Sequence, residues 1–221
     1  MFAPLTGLLA AHLPWKHVYL VLALVLVAVT IPAHWWGLRL PWPAPAPAAP
    51  DQPGGRWEQI PAVITRSRPF IVLVAVLAVT AFSTYALIIG QIPLLTGRGV
   101  SPATAAIAMG LGGLGQVAGR LGYQQLTAHT TARARTVLIL TAAAATTGLL
   151  AAIPGPTLLL IAGVVLAGAA RGVFTLLRAT AISERWGARH YGRLNGILSA
   201  PSLLAAAIAP AAAAGLASTP R

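Results

Sequence analysis

FIVLVAVLAVTAFSTYALIIGQIPLL, residues 70 to 95, is a long apolar run without a single charged side chain. A bilayer core of about 30 Å is crossed by about 20 apolar residues in an α-helix, so this run is long enough to span it. Five other runs, bounded by charge, proline or glycine, have the same character. The six predicted spans are His17 to Leu38, Phe70 to Leu95, Pro102 to Tyr123, Thr136 to Ile153, Thr157 to Ala179, and Gly192 to Leu216.

The composition of the chain agrees with a membrane location. Hydrophobic residues make up 57% of the 221 residues and charged residues only 8%, whereas about a quarter of a soluble domain is charged. The run before Pro14 holds only about a dozen apolar residues, too few to span a bilayer. We therefore predict an all-α membrane protein, a transmembrane bundle of about six full spans preceded by a short N-terminal helix stub.

The charge of the chain is one-sided, with 15 Lys and Arg residues against three acidic ones. Nucleic-acid binding would require a solvated basic face, but here the arginines stand at the borders of apolar runs, as the positive-inside rule expects. The partner implied is the lipid bilayer and not a nucleic acid. The rule predicts a multi-pass protein of the cytoplasmic membrane with three cytoplasmic loops, 40–68, 124–135 and 180–193.

A Pro-rich stretch divides the chain. PWPAPAPAAPDQPGGRWEQ, within residues 40–68, has the composition of an extended linker. The predicted organisation is a stub and first full span in residues 1–39, a cytoplasmic linker in residues 40–68, and a C-terminal helix bundle in residues 69–221.

GLGGLG at residues 110–115 matches the dinucleotide-binding pattern G-x-G-x-x-G by letter. No strand precedes it and no acidic residue follows about 20 positions on, so the context of that motif is missing. Gly115 and Gly119 lie four residues apart, and Gly112 is on a neighbouring turn. Small residues at this spacing let helix backbones approach closely, which predicts a packing face.

Polar residues inside the spans are few, and such residues are functional candidates because burying them in hydrocarbon is costly. Arg171 has two readings: its long side chain snorkels to the headgroups, or it faces a central cavity and pairs with an anionic substrate. Arg178 is expected to be an interfacial anchor. At helical spacing, the candidates for one substrate pathway are Thr84, Gln91, Gln116, Arg171, Thr175, Asn195 and Ser199.

Several kinds of chemistry lack a pattern in this sequence. No Asp or Glu lies inside a predicted span, the chain has no cysteine, and no metal-ligand spacing, catalytic triad or phosphate loop is present. We therefore expect no enzyme activity, no cofactor and no metal site.

Three segments resemble the major facilitator superfamily of transporters. GQVAGRL at 115–121, followed by Arg133 and Arg135, is similar to the second-half copy of its loop signature, although Tyr123 stands where that signature has an Asp. Residues 171–210 resemble helices ten and eleven of bacterial members with their joining loop. Residues 2–39 resemble the end of helix five and helix six.

The resemblance implies half of a facilitator-type fold, from a stub of helix five through helix eleven, and an incomplete chain that lacks helices one to four and twelve. The missing N-terminal half or another copy would then be a partner. Glu184 with Arg185 has two readings, a salt-bridge cluster that latches an inner gate or ordinary loop solvation. The gate candidates are Gly119, Arg120, Arg133, Arg135, Glu184 and Arg185.

The function that follows is secondary transport by alternating access, with a small organic solute or drug-like compound as substrate. The alternative is a six-helix membrane scaffold or regulatory protein that transports nothing. The absence of coupling carboxylates and the glycine-rich packing face favour the alternative.

Overall fold

A computed structural model describes Thr6, Leu9, residues 12–37 and residues 61–217. The chain divides into two compact units, residues 2–55 and residues 56–221. Every regular element in the described residues is a helix. The chain is an all-α membrane bundle, as the apolar runs predict. Most of the predicted N-terminal stub lies outside the described residues.

The first unit contributes one long helix to the described residues. This helix, α1, covers Trp15–Gly37, and apolar side chains such as Leu24 and Val29 are exposed along it. The second unit contains one short helix and five long ones. They are α2 (Pro61–Arg66), α3 (Arg68–Thr96), α4 (Pro102–His129), α5 (Ala132–Ala152), α6 (Thr157–Trp186) and α7 (Tyr191–Ala217).

Five of these helices are long and apolar enough to cross a membrane, namely α1, α3, α5, α6 and α7. The sixth predicted span, α4, forms a helix of 28 residues but does not reach the same hydropathy. Its glycines, glutamines and threonines dilute its apolar content, and it packs most extensively against α6. Five of the six predicted spans are therefore long and apolar enough to cross a membrane. The sixth, α4, is less apolar and lies against the apolar α6.

The helices extend further than the apolar runs. Two of the predicted cytoplasmic loops, 124–135 and 180–193, are mostly helical, and the real connections are residues 130–131 and 187–190. The end of the predicted linker forms α2, whose Ile64 is buried. Hydropathy marks where a helix leaves the apolar layer, whereas caps decide where it ends. Residues 38–60, the rest of that linker, lie outside the described residues.

The helix ends have identifiable local causes. The Ser101 hydroxyl oxygen accepts a hydrogen bond from the backbone N–H of Thr104 at 3.1 Å, and Thr131 caps α5 in the same way. Such side chains replace the partners that the first turn of a helix lacks. Gly187, with φ of 75°, ends α6 because this conformation costs glycine little.

Two apolar clusters form the interior of the second unit. One joins the first half of α3 to the second half of α6 and the start of α7, with Phe70, Leu77 and Leu177 among its members. The other joins the end of α3 to the start of α4 and of α6. Consecutive long helices therefore run in opposite directions, as expected of successive membrane spans with short connections.

Glycines bring α4 and α6 into backbone contact. A Cβ atom on Gly115 would overlap the carbonyl oxygen of Val165, and one on Gly119 would overlap that of Ala169. The glycines of α6 reciprocate, since a Cβ on Gly168 would overlap the carbonyl oxygen of Gly112. The contacts advance together along both helices, so α4 and α6 are parallel. The prediction that GLGGLG is a packing face is confirmed.

The arginines of residues 61–217 are concentrated at one end of the bundle, which we call the basic end. It comprises the start of α3, the α4–α5 connection and the α6–α7 connection. Arg98 is the arginine at the opposite end of the part of the chain that the structure describes. The basic end carries Arg66, Arg68, Arg133, Arg135, Arg185, Arg189 and Arg193.

Arg98 links the α3–α4 connection to the end of α5 by hydrogen bonds. Its guanidinium donates to the carbonyl oxygens of Leu150 at 2.6 Å and Ala151 at 2.9 Å. We expect Arg98→Gln to lower the free energy of unfolding by about 1–3 kcal/mol, because two carbonyls at a helix terminus lose a charged donor. Thermal unfolding in a nonionic detergent measures the change. The matched variant Arg189→Gln, at an exposed residue, should leave stability unchanged, and an equal loss in both variants would contradict the role of Arg98.

Candidate functional site

Three helices of the second unit enclose a cleft, here called the central cleft, with a volume of about 160 Å³. The helix α3 contributes Thr84 and Tyr85, α4 contributes Gln116, and α6 contributes the rest of its polar lining. Its apolar wall includes Phe174. The polar lining is Thr84, Tyr85, Gln116, Arg171, Thr175 and Arg178.

The central cleft lies near the middle of all three helices. At 1.5 Å per residue, Arg171 is about 21 Å from the first residue of α6 and about 22 Å from the last. Gln116 is about 21 Å from the start of α4 and about 20 Å from its end. Arg178, expected to be an interfacial anchor, lies about 12 Å from the end of α6 and also lines the cleft. The longer α6 also makes Arg171 central rather than close to an end.

The glycine packing of α4 on α6 shapes this cleft. A Cβ on Gly172 would overlap the carbonyl oxygen of Gln116, so the two helix backbones touch beside Arg171. This contact sets Gln116 on one wall and Arg171 with Thr175 on the adjacent wall. The packing motif and the polar lining are thus parts of one arrangement.

The donors of the cleft differ in what they contact. The Thr175 hydroxyl donates to the carbonyl oxygen of Gly172 at 2.7 Å and accepts from Nε of Arg120 at 3.4 Å. Arg171 is different, since its Nε is buried and has no hydrogen-bond partner. Among the described residues, no carboxylate lines the cleft. Glu184, the one acidic residue in that part of the chain, pairs with Arg135 at the basic end.

A second cavity of about 310 Å³ shares Thr84 with the central cleft and lies between α3 and α5. Three of its four hydroxyls are occupied within their own helices: Thr80 donates to Val76 at 2.8 Å, Ser83 to Val79 at 3.0 Å and Thr147 to Ala143 at 2.8 Å. A hydroxyl that donates to its own helix offers only its oxygen to a ligand. Apart from Thr84, which it shares with the central cleft, this cavity therefore offers acceptors and apolar surface rather than donors.

The structure divides the predicted substrate pathway. It brings Thr84, Gln116, Arg171 and Thr175 together in the central cleft. Gln91 does not line it: its side chain is buried and the amide nitrogen has no partner. Asn195 and Ser199 do not line it either, because they lie on α7, which packs mainly on α3. Helical spacing identifies a shared face on one helix but not which helices meet.

The gate candidates fall into two groups. Arg135 is buried and forms an ion pair with Glu184, and it also donates to the carbonyl oxygen of Thr130 at 3.1 Å. The hydroxyl of Tyr123 lies 2.7 Å from that of Thr180 and donates to Glu184 at 3.4 Å. This network joins α4, α5 and α6 at the basic end.

Arg185 reinforces the same junction, donating to the Thr136 hydroxyl and to the carbonyl oxygen of Ala132. The other candidates lie elsewhere. Gly119 belongs to the packing face, Arg120 bonds to Thr175, and Arg133 is exposed. The reading of Glu184 as a solvated loop residue is wrong, since its carboxylate is the centre of a partly buried network.

Some residues of these sites were not predicted. Tyr85 follows Thr84 in the chain and was available as a polar residue within the span. Thr136 and Thr180 join the basic-end network although threonine in a helix usually bonds only to its own backbone. Only tertiary contacts reveal these two residues, since each lies opposite an arginine or a tyrosine of another helix.

Within residues 12–37 and 61–217, no group of three or more His, Asp or Glu side chains is arranged to hold a metal ion. Comparison of the chain with family models, with curated proteins and with solved structures found no match. Function is therefore inferred from the geometry of the central cleft and of the basic end.

Proposed function

We propose that this protein is a secondary carrier that moves a small organic solute across a membrane by alternating access. The observation that carries the proposal is the central cleft, a partly polar cavity near the middle of three long helices, and carriers bind their substrates near the middle of the membrane. Its lining combines an apolar wall with a few polar groups, the usual composition of a small-molecule site.

The bundle supports the proposal in two further ways. The helices alternate in direction through a short-looped bundle of membrane-capable length, and the basic end is held together by a network that joins three helices. The facilitator-like segments agree with both features. We propose that the basic end faces the cytoplasm, in line with the positive-inside rule.

The proposal is tested by solute flux. The purified protein is reconstituted into phosphatidylcholine liposomes, and exchange is measured for labelled organic acids, neutral solutes and organic cations. We expect faster exchange of at least one class than in protein-free liposomes, and loss of it in Thr84→Trp, because the larger side chain fills the cleft. Flux equal to that of protein-free liposomes for every class would overturn the proposal.

A non-transporting scaffold is the second candidate. The close packing of α4 on α6 favours it, because backbones in contact form a rigid pair. The central cleft favours the carrier, since a scaffold needs no polar cavity at mid-depth. The same flux measurement separates the two, and binding of a membrane partner without any flux would support the scaffold.

A further inference from the structure

We propose that the central cleft binds a small organic anion, with Arg171 as its principal contact. The inference deepens the proposed transport function and rests on it for the identity of the transported solute. Binding of the anion can be measured in detergent, separately from transport, so the two proposals can fail independently.

Two arginines of the central cleft lack a counter-charge among the described residues. Arg171 and Arg178 both line the cleft, and neither forms a hydrogen bond or ion pair with any residue that the structure describes. They lie seven residues apart on one face of α6, about 10 Å along the axis. A guanidinium in a low-dielectric interior is costly unless an anion compensates it. The described residues supply no carboxylate here, so a bound anion would supply the compensating charge.

The central cleft also contains hydrogen-bond donors that have no partner among the described residues. Thr84 and Gln116 line the same cleft, and their side chains form no hydrogen bond with another described residue. The hydroxyl and the amide can both donate, as can the guanidinium of Arg171. Donors on three helices beside two guanidinium groups suit a carboxylate, phosphate or sulfonate. Phe174 and Ile88 leave room beside them for an apolar body.

The depth of the cleft distinguishes two sources of anion. Arg171 lies about 21–22 Å from the two ends of α6, a position that a soluble anion reaches more readily than a phospholipid headgroup does. The volume, about 160 Å³, is below the roughly 300–1,000 Å³ of drug-sized pockets. Both features favour a small free organic acid over a lipid.

The experiment measures thermal stability and binding of the full chain in a nonionic detergent without lipid. The probes are benzoate, phenylphosphate and benzenesulfonate, with benzamide and benzylammonium as neutral and cationic counterparts. We expect at least one anion to raise the Tm and to bind at least about tenfold tighter than benzamide, as a charged hydrogen bond provides. Equal effects of anionic, neutral and cationic probes would overturn the inference.

The variant Arg171→Gln tests the role of Arg171 independently of the choice of probe. Without ligand, it should raise the Tm by about 2–4 °C, because it removes an uncompensated cation, and it should abolish stabilisation by the anion. Arg171→Lys should retain part of the binding, since it keeps the charge but loses the planar fork. Arg193→Gln, an exposed arginine of the basic end, should bind like the wild type. Unchanged anion binding in Arg171→Gln would overturn the inference.

Three further outcomes separate this inference from its alternatives. Stabilisation by anionic phospholipid but by none of the three soluble anions would assign the site to a lipid and overturn the inference. Flux of neutral or cationic solutes in liposomes, with no anion binding, would leave the transport proposal standing and refute anion recognition. Anion binding without flux would support the site and refute transport.

Discussion

Replacing Gly168 by alanine is expected to lower the free energy of unfolding by about 2–3 kcal/mol, and leucine at this position is expected to prevent folding. An added Cβ would overlap the backbone carbonyl of Gly112, and backbone cannot yield by changing a rotamer. Overpacking in a well-packed interior costs about 1–3 kcal/mol, and a contact against backbone belongs to the upper part of that range. Thermal unfolding in detergent measures the loss.

The same substitution at Gly122 is the matched control. Gly122 lies in α4, the helix that Gly168 of α6 contacts, but a Cβ there would meet no atom within 4 Å. Alanine favours a helix over glycine by up to about 1 kcal/mol, so Gly122→Ala should be neutral or slightly stabilising. Equal destabilisation by both substitutions would show that glycine is needed for a reason other than helix contact. Gly168→Ala should also weaken anion binding, because separating α4 from α6 moves Gln116 away from Arg171.

The second large effect is expected at the basic end. Glu184→Gln should lower the free energy of unfolding by about 3 kcal/mol, because it leaves the guanidinium of Arg135 buried without its counter-charge. Breaking a buried ion pair typically costs about 3–5 kcal/mol. The lower figure applies because the side chain of Glu184 keeps 21% of its surface exposed, against 4% for Arg135.

A double-variant cycle tests whether the charge is the cause. Arg135→Gln combined with Glu184→Gln should cost less than the sum of the two single changes, with a coupling of about 1–3 kcal/mol, because the double variant buries no unpaired ion. The comparison uses urea or thermal unfolding in the same detergent. Additive costs would mean that the two side chains stabilise the junction independently.

The fold was largely predictable from the sequence because hydropathy and charge report directly on membrane spans. The run at residues 70–95 and the glycine face at 112, 115 and 119 both have the predicted role. The helix ends were less predictable. The continuation of α6 to Trp186 depends on contacts such as that of the Phe70 ring, 5.5 Å from the Trp186 ring, and hydropathy does not record them.

The site was predictable only in part, for a geometric reason. Arg171 and Thr175 share a face of α6, which spacing along one helix reveals. Asn195 on α7 has the same kind of spacing but packs away from the cleft, because α7 lies mainly against α3. Which helices meet is decided by packing, here by the contact of Gly172 with Gln116, and a pattern within one helix does not contain that information.

We propose that the central cleft is water-accessible and positively charged although it lies within a membrane bundle. The chain has no cysteine, so Thr84→Cys introduces a unique thiol, whose reaction with anionic and cationic methanethiosulfonate reagents can be followed in proteoliposomes. Leu166→Cys, at an exposed apolar residue of α6, is the lipid-facing control. We predict that the thiol at residue 84 reacts, faster with the anionic reagent, and that the control does not. A thiol at residue 84 that reacts with neither reagent until the protein is denatured would contradict the account.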